Sequence, residues 1–239
     1  MAAWKLRSSA LVPRRRRGYE ILDAPEVSFD LRRRSHRDIA LSHAWLGGSR
    51  AMSRALREVF HRAAPRRYSI LDVGTGAGQT LDLVRREARH AQISYFAVAL
   101  DLDERLARVC TSRAAGVCGS ALALPFADRS QDLTVCSLLL HHFAEEDLGR
   151  VVRELHRVTR GVVILHDLRR SWVAVAGLWL ASFPLAFHPV SRHDGVTSIL
   201  RGFTRDELSA HIVRATGVTP RIEEKLGFRL VATWSPERV

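Results

Sequence analysis

The chain has 239 residues, enough for one domain of ordinary size with appendages. Its residues are 46% apolar and 26% charged, the balance of a soluble globular protein with a full core. The three cysteines, Cys110, Cys118 and Cys136, have no paired spacing and small or apolar neighbours. This excludes a disulfide framework and predicts reduced, mostly buried thiols in a cytoplasmic protein. No metal-ligand cluster is expected, because the adjacent pair His141-His142 does not place both rings on one face of a helix.

The formal charge of +12 is unevenly spread. Residues 1–67 carry 16 Lys/Arg against 6 Asp/Glu, which leaves the rest of the chain nearly balanced. Arg14-Arg15-Arg16-Arg17 lies in a leader, residues 1–19, without acids and without an apolar core of signal-peptide length. This leader reads as a disordered, solvated tail, with anionic lipid or RNA as the partners its charge would otherwise attract.

Residues 20–66 read as a helical N-terminal cap. Residues 30–46 form an amphipathic helix ended by Gly47-Gly48, and a second helix runs from about Ser49 to His61. From Tyr68 the pattern changes to strands alternating with helices. The strand-like runs are Tyr68–Val73, Ile93–Leu100, Val117-Cys118, Leu133–Ser137 and Val162–His166. The helices between them are Gln79–Arg89, Asp103–Ser112 and Leu148–Val158. This order predicts an α/β fold, a mostly parallel sheet with helices on both faces, over residues 67–239. Ser171–Val190 is rich in Trp, Leu, Phe and Ala, and a polar turn is expected at Ser191–Thr197. A helix with a Thr204/Glu207 capping box then leads to a last strand at Gly227–Trp234.

The chemistry concentrates in Ile-Leu-Asp-Val-Gly-Thr-Gly-Ala-Gly, residues 70–78. Gly74, Gly76 and Gly78 let the backbone turn tightly and approach a ligand with no Cβ in the way. The third glycine comes one residue earlier than in the Gly-x-Gly-x-x-Gly loop of dinucleotide binders. Asp72, just before the loop, would repel a pyrophosphate but could hold an ammonium group. The pattern therefore favours an amino-acid-bearing nucleoside. Asp101, which ends the next strand, suits the two hydroxyls of a ribose.

These residues carry a resemblance. The run at 70–78 resembles motif I of class I S-adenosylmethionine-dependent methyltransferases, and Leu100-Asp101-Leu102-Asp103 resembles their motif II. Gly119–Asp128, Asp132–Val135 and Leu140–Phe143 resemble the quinone-methylating, UbiE-like (methyltransferase type 11) branch. The resemblance covers residues 68–168 and implies a Rossmann-like seven-stranded sheet with a reversed C-terminal hairpin. It implies S-adenosyl-L-methionine as cofactor, held by Asp72, Gly74, Thr75, Gly76, Gly78, Asp101, Leu102, Ser120, Ala121 and Leu138. In that set Asp72 faces the methionine amine, Asp101 the ribose and Ser120-Ala121 the adenine edge. Ser120 departs from the aspartate common in the family and is the weaker acceptor.

Methyl transfer to a hydroxyl needs a base near neutral pH, a role suited to histidine. Three candidates stand out: His193 in the expected polar turn, with Asp194 or Asp167 to orient it; His166 at the end of a strand; and His142, alternatively a structural residue under the cofactor. Residues 169–203 read as an insert roofing the acceptor. Pro184, Pro189 and the flanking Arg169-Arg170 argue against a membrane span. The aromatic, leucine-rich composition suits a lipophilic or aromatic acceptor, and burial against the N-terminal cap or in a dimer are the other readings. The runs 162–171, 192–195 and 202–208 also resemble methyltransferases encoded beside bacterial polyketide synthases. Methyl transfer to a phenol, quinone or polyketide-type acceptor, at oxygen, is the expectation, with peripheral membrane contact open. RNA methylation through the basic N-terminus is the alternative, although residues 137–143 lack the Asn/Asp-Pro-Pro-Tyr/Phe-type run that grips a base amine.

Overall fold

In the computed structural model the residues described are 11–236, apart from 17, 25, 29, 32–33, 36, 39–40, 42–46, 65 and 113. Seven strands form one sheet: β1 (Arg67–Val73), β2 (Ser94–Asp101), β3 (Ala115–Cys118), β4 (Gln131–Ser137), β5 (Thr159–Leu168), β6 (Arg221–Lys225) and β7 (Arg229–Trp234). Their order across the sheet is β3-β2-β1-β4-β5-β7-β6. β7 runs antiparallel to both its neighbours and the other pairings are parallel. The expected α/β class and Rossmann-like sheet are therefore present. The reversal of strand order between β1 and β4 opens a crevice at the carboxyl ends of these strands, where such sheets place ligands.

Among the described residues, seven helices with defined bounds accompany the sheet. α1 (Gly48–His61) and α2 (Gln79–His90) cover one face. Met52, Leu56 and Phe60 of α1 pack there with Ile70, Leu133, Val135, Ile164 and Val231. α3 (Glu104–Val109) connects β2 to β3. On the opposite face, α4 (Glu145–Val158) and α7 (Arg205–Thr216) bury Leu148, Val151, Leu155, Leu208 and Ile212 against Leu71, Val73, Leu165 and Leu230. α7 starts with the predicted capping box: the Glu207 amide donates to Thr204 Oγ1 at 3.2 Å and the Thr204 amide to Glu207 Oε2 at 2.8 Å. α5 (Trp172–Ala181) and α6 (Pro189–Arg201) roof the carboxyl end of the sheet. Among the described residues no helix is long and apolar enough to cross a membrane.

Four expectations change. Ser191–Thr197 is not a turn but lies within α6, which Pro189 opens as its first residue and His188 caps. β6 went unseen because Arg-Ile-Glu-Glu-Lys offers one apolar residue among charges, the composition of an edge strand. Cys118 is exposed rather than buried. The leader is not a free tail over its described part. Pro13 O accepts from Arg170 Nε at 2.7 Å, Leu11 O from the Trp172 amide at 2.9 Å, and Arg15 pairs with Glu145 at 2.8 Å. The start of the roof insert supplies the donors and α4 the acid, and a short sequence window could not show them. The described residues between 30 and 41 are helical, whereas 42–46 of the predicted first helix lie outside the described residues.

The far end of the sheet is locked by Asp132. Its carboxylate takes Arg66 Nη2 at 2.6 Å, Arg160 Nε at 2.7 Å and the Ser69 amide at 2.9 Å, tying β1, β4 and β5 together. Burial opposes the charge, but these donors outweigh it and hold the carboxyl well below its usual range. Gly161 is required here, since a Cβ would lie 2.2 Å from the Asp132 carbonyl oxygen. Asp132→Ala is expected to cost about 2–3 kcal/mol in urea unfolding at pH 7. The deficit should shrink as the pH falls through the unfolded carboxyl range, because the wild-type advantage is lost there. A loss below about 0.5 kcal/mol would show that the two half-exposed arginines add nothing.

Candidate active site

The glycine loop sits at the carboxyl end of β1, pinned to β2: the Gly74 and Thr75 amides donate to Leu100 O at 2.8 and 3.1 Å. Gly74 and Gly76 have φ of +71° and +52°, in the left-handed region that favours glycine. A Cβ on Gly74 would strike Leu139 at 2.8 Å, whereas a Cβ on Gly76 would meet nothing within 4 Å and would project into open space. Gly78 caps α2 from beneath. Asp101 closes the loop from the side, its Oδ2 accepting from the Gly76 amide at 2.9 Å and its Oδ1 from the Asp103 amide at 3.0 Å.

Asp72 lies under the loop with 1% of its surface exposed. Its Oδ2 accepts from Thr75 Oγ1 at 2.8 Å, while Oδ1 has no hydrogen-bond partner among the described residues. Burial, with Thr75 pulling the other way and Asp101 adding repulsion, pushes the Asp72 carboxyl up to about 7.

A cavity of about 780 Å³ runs from this loop to the roof. Of the predicted cofactor residues, Gly74, Thr75, Gly76, Asp101, Leu102, Ser120, Ala121 and Leu138 line it, while Asp72 and Gly78 support the loop from below. The Ser120 hydroxyl is turned into its own loop, where it accepts from the Leu122 amide at 3.2 Å. Leu138 holds φ +53°, a strained conformation for a branched side chain, at the point where β4 turns into the cavity wall. At the other end Leu168, Ala174, Leu178, Phe187 and Ile199 form an apolar cluster, with Leu138 and Phe228 against it. The N-terminal segment closes this chamber. Asp194 of α6 accepts from the Ile21 and Leu22 amides, both at 2.9 Å, and Glu20 accepts from Ser198 Oγ at 2.9 Å.

The predicted histidines separate. His193 is on the outer side of α6, 54% exposed and outside the cavity lining, with its Nδ1 2.8 Å from Asp194 Oδ1. The helix that replaces the expected turn points Ser191, Gly195 and Ser198 inward instead. His166 and His142 both line the cavity. His166 is fully buried, 3.0 Å from Ser137 Oγ. Burial and then the Arg229 charge push its imidazole down to about 3, so the ring is neutral at physiological pH.

The histidine missed by sequence is His141. It lies in the 3-10 turn Leu140–His142 that follows β4, buried yet lining the cavity. Its Nδ1 is 2.6 Å from Asp167 Oδ1, its amide donates to Asp167 Oδ2 at 3.1 Å, and the Leu168 amide donates to Asp167 Oδ1 at 2.7 Å. Burial alone would raise the Asp167 carboxyl, but His141 and the Leu168 amide reverse this and hold it below its usual value. An ionised Asp167 fixes the His141 proton on Nδ1 and leaves Nε2 as the acceptor. The signal was a His doublet after one strand and an Asp at the end of its parallel neighbour.

His141 and His142 also share a site after all. With Glu20, their ligand-type atoms lie within 4.8 Å of one another, because the tight turn stacks the rings at 4.4 Å. Arg201 already answers the Glu20 charge at 3.2 Å, so the group is a compensated polar network.

Arg229, the first residue of β7, completes the cavity wall. It is 4% exposed, and burial pushes its guanidinium down to about 10 even with Asp167 drawing it up.

Residues 71–165 match a family described as a methyltransferase domain. A demethylmenaquinone methyltransferase of Thermotoga maritima is 32% identical over 94 residues, and the match spans 38% of this chain and 38% of that protein. The plantazolicin methyltransferase BpumL, solved in complex with SAH, superposes with a TM-score of 0.64 at 14% identity, covering 85% of this chain and 77% of that one. The CMeT domain of the citrinin polyketide synthase also reaches 0.64, at 12% identity over 85% of this chain and 57% of that one.

Asp72 makes stability depend on pH. Its folded-state value lies above the unfolded one, so the native protein keeps a proton that the unfolded chain releases. Stability therefore falls as the pH rises from about 4 to about 7, by roughly 3–4 kcal/mol from this group. Asp72→Asn removes the titration, so it should gain on wild type across that window in urea unfolding. A difference that does not change with pH would contradict the buried, proton-holding carboxyl.

Proposed function

We propose that the chain, whose residues 71–165 match a methyltransferase-domain family, is an S-adenosylmethionine-dependent methyltransferase acting on the hydroxyl oxygen of a hydrophobic aromatic acceptor. Phenols, quinone-type rings and polyketide-derived aromatics are the acceptor class. The observation that carries this reading is one cavity joining the glycine loop to an apolar chamber, with His141 on its wall and Asp167 behind it. The name of the 32%-identical relative gives a quinone-type acceptor, in keeping with the apolar chamber.

The loop fits the cofactor. Gly76 leaves space where a Cβ would stand, and the orphaned Asp72 Oδ1 is an acceptor suited to an ammonium group or a bridging water. Asp101 has its carboxylate fixed by two amides at the cavity edge, poised for ribose hydroxyls. Since the Ser120 hydroxyl serves its own loop, adenine recognition falls to backbone groups of Ser120 and Ala121. Bound S-adenosylmethionine would supply an electrophilic methyl on a sulfonium.

The chain's own work is positioning and proton removal. The roof residues exclude water and hold an aromatic ring. His141 Nε2 takes the hydroxyl proton as the new oxygen–carbon bond forms, and Asp167 stabilises the imidazolium that results. This role moves from His193, which stands outside the cavity, to a buried histidine with a buried carboxylate behind it.

Calorimetry with S-adenosylhomocysteine and turnover of labelled cofactor against a panel of phenols and hydroquinones test the reading. Absence of cofactor binding, or of transfer to any aromatic acceptor, sinks it. His141→Ala should lower kcat by about 100- to 10,000-fold while S-adenosylhomocysteine affinity changes less than about threefold. His193→Ala should stay within about twofold of wild type. Loss of activity in the second variant and not the first would reverse the assignment.

A further inference from the structure

We propose that the acceptor chamber recognises a negatively charged group of the acceptor, of carboxylate type, through the buried guanidinium of Arg229 and the uncapped amino end of α1. This names the substrate class more closely and rests on the aromatic-acceptor reading above.

A guanidinium that is 4% exposed and makes no hydrogen bond or ion pair among the described residues is costly to bury. The nearby acids are committed elsewhere. Asp167 is held by His141 and the Leu168 amide, and it projects from the other face of β5. Asp38 accepts from the His188 amide, and Glu20 is met by Ser198 and Arg201. On its own face Arg229 lies opposite Leu168, two residues from His166, whose neutral ring brings no competing anion. Among the described residues no acid forms an ion pair with Arg229, whose charge Asp167 offsets only from a distance, and Arg229 lines the cavity.

The second feature is α1. Among the described residues its amino end has no side-chain cap and its first turn has no acid, and Ser49 lines the cavity. Gly47, which precedes the helix, packs on the turn that delivers Arg229: a Cβ there would lie 3.2 Å from Leu226 O. The amides of a helix start and a desolvated guanidinium both favour a carboxylate. The cofactor's own carboxylate is the alternative source. β7 lies three strand spacings from the glycine loop on β1, about 14 Å, which puts Arg229 over the acceptor end.

The test titrates the full chain, saturated with S-adenosylhomocysteine, with 1-naphthoate, its neutral isostere 1-naphthamide, and acetate. Naphthoate should bind at least about tenfold tighter than naphthamide. Arg229→Gln should bring the two within about twofold, while Arg229→Lys retains part of the preference. Arg229→Gln should melt no lower than wild type, since Gln relieves an unpaired buried charge. Equal binding of naphthoate and naphthamide overturns the anion site and leaves the aromatic reading intact. Acetate binding as well as naphthoate, with the same Arg229 dependence, keeps the anion site and sinks the aromatic reading. If Arg229→Gln weakens S-adenosylhomocysteine but not methylthioadenosine, the ligand is the cofactor's carboxylate and the assignment to the acceptor falls.

Discussion

An ionised carboxylate without exposed surface has to be met by donors on every side, and Asp167 imposes that demand at the carboxyl end of β5. Its two oxygens collect the His141 ring, the His141 amide and the Leu168 amide. These bonds fix the turn after β4, because His141 cannot leave without stranding a buried charge. They fix the imidazole tautomer as well, and so decide which nitrogen is offered to the cavity. Arg201 closes the same turn from above, donating to His141 O at 3.1 Å and His142 O at 2.6 Å. The wall on which a base must stand is thus built from both sides by charge, and the apolar roof packs around it.

Much of this was legible in the sequence, for identifiable reasons. The glycine loop declares itself because close backbone approach permits only glycine, and its spacing rejects a pyrophosphate. The central strands declare themselves because both their faces are buried, giving unbroken apolar runs such as Ile164-Leu165 and Val135-Cys136. The His141–Asp167 pair did not, because its two members are 26 residues apart and meet only through the β4–β5 register, in which Ser137 lies opposite His166. An isolated His-Asp neighbour pair, such as His193-Asp194, is more conspicuous in sequence. In the fold His193 faces outward, whereas Asp194 is buried and spends its oxygens on the Ile21 and Leu22 amides.

The charge imbalance of the N-terminal region has a partly structural reading. Arg15 stacks on Phe203 at 4.6 Å, pairs with Glu145 and donates to Arg201 O, so one member of the arginine run serves as a clasp across the roof. The acid it meets is 130 residues away in sequence. Composition reports that a cation is present and is blind to such a partner. Binding of nucleic acid therefore cannot be inferred from the arginine run alone.

The reversal of β7 gives the site its remaining feature. In a wholly parallel sheet every strand reaches the ligand-binding edge with its last residues, so only strand ends can furnish side chains there. β6 arrives at that edge with Lys225, the chain turns through residues 226–228, and β7 departs with Arg229. An antiparallel strand thereby delivers its first residue to the edge where its neighbours deliver their last. Alternation along β5 then separates the two faces: Asp167 faces the helices α4 and α7, while His166 and Leu168 share the face of Arg229. On the reading proposed above, the acceptor meets a base on one side and a fixed positive charge on the other. That arrangement can bind an acidic aromatic in one orientation, and it follows from strand direction and side-chain alternation alone.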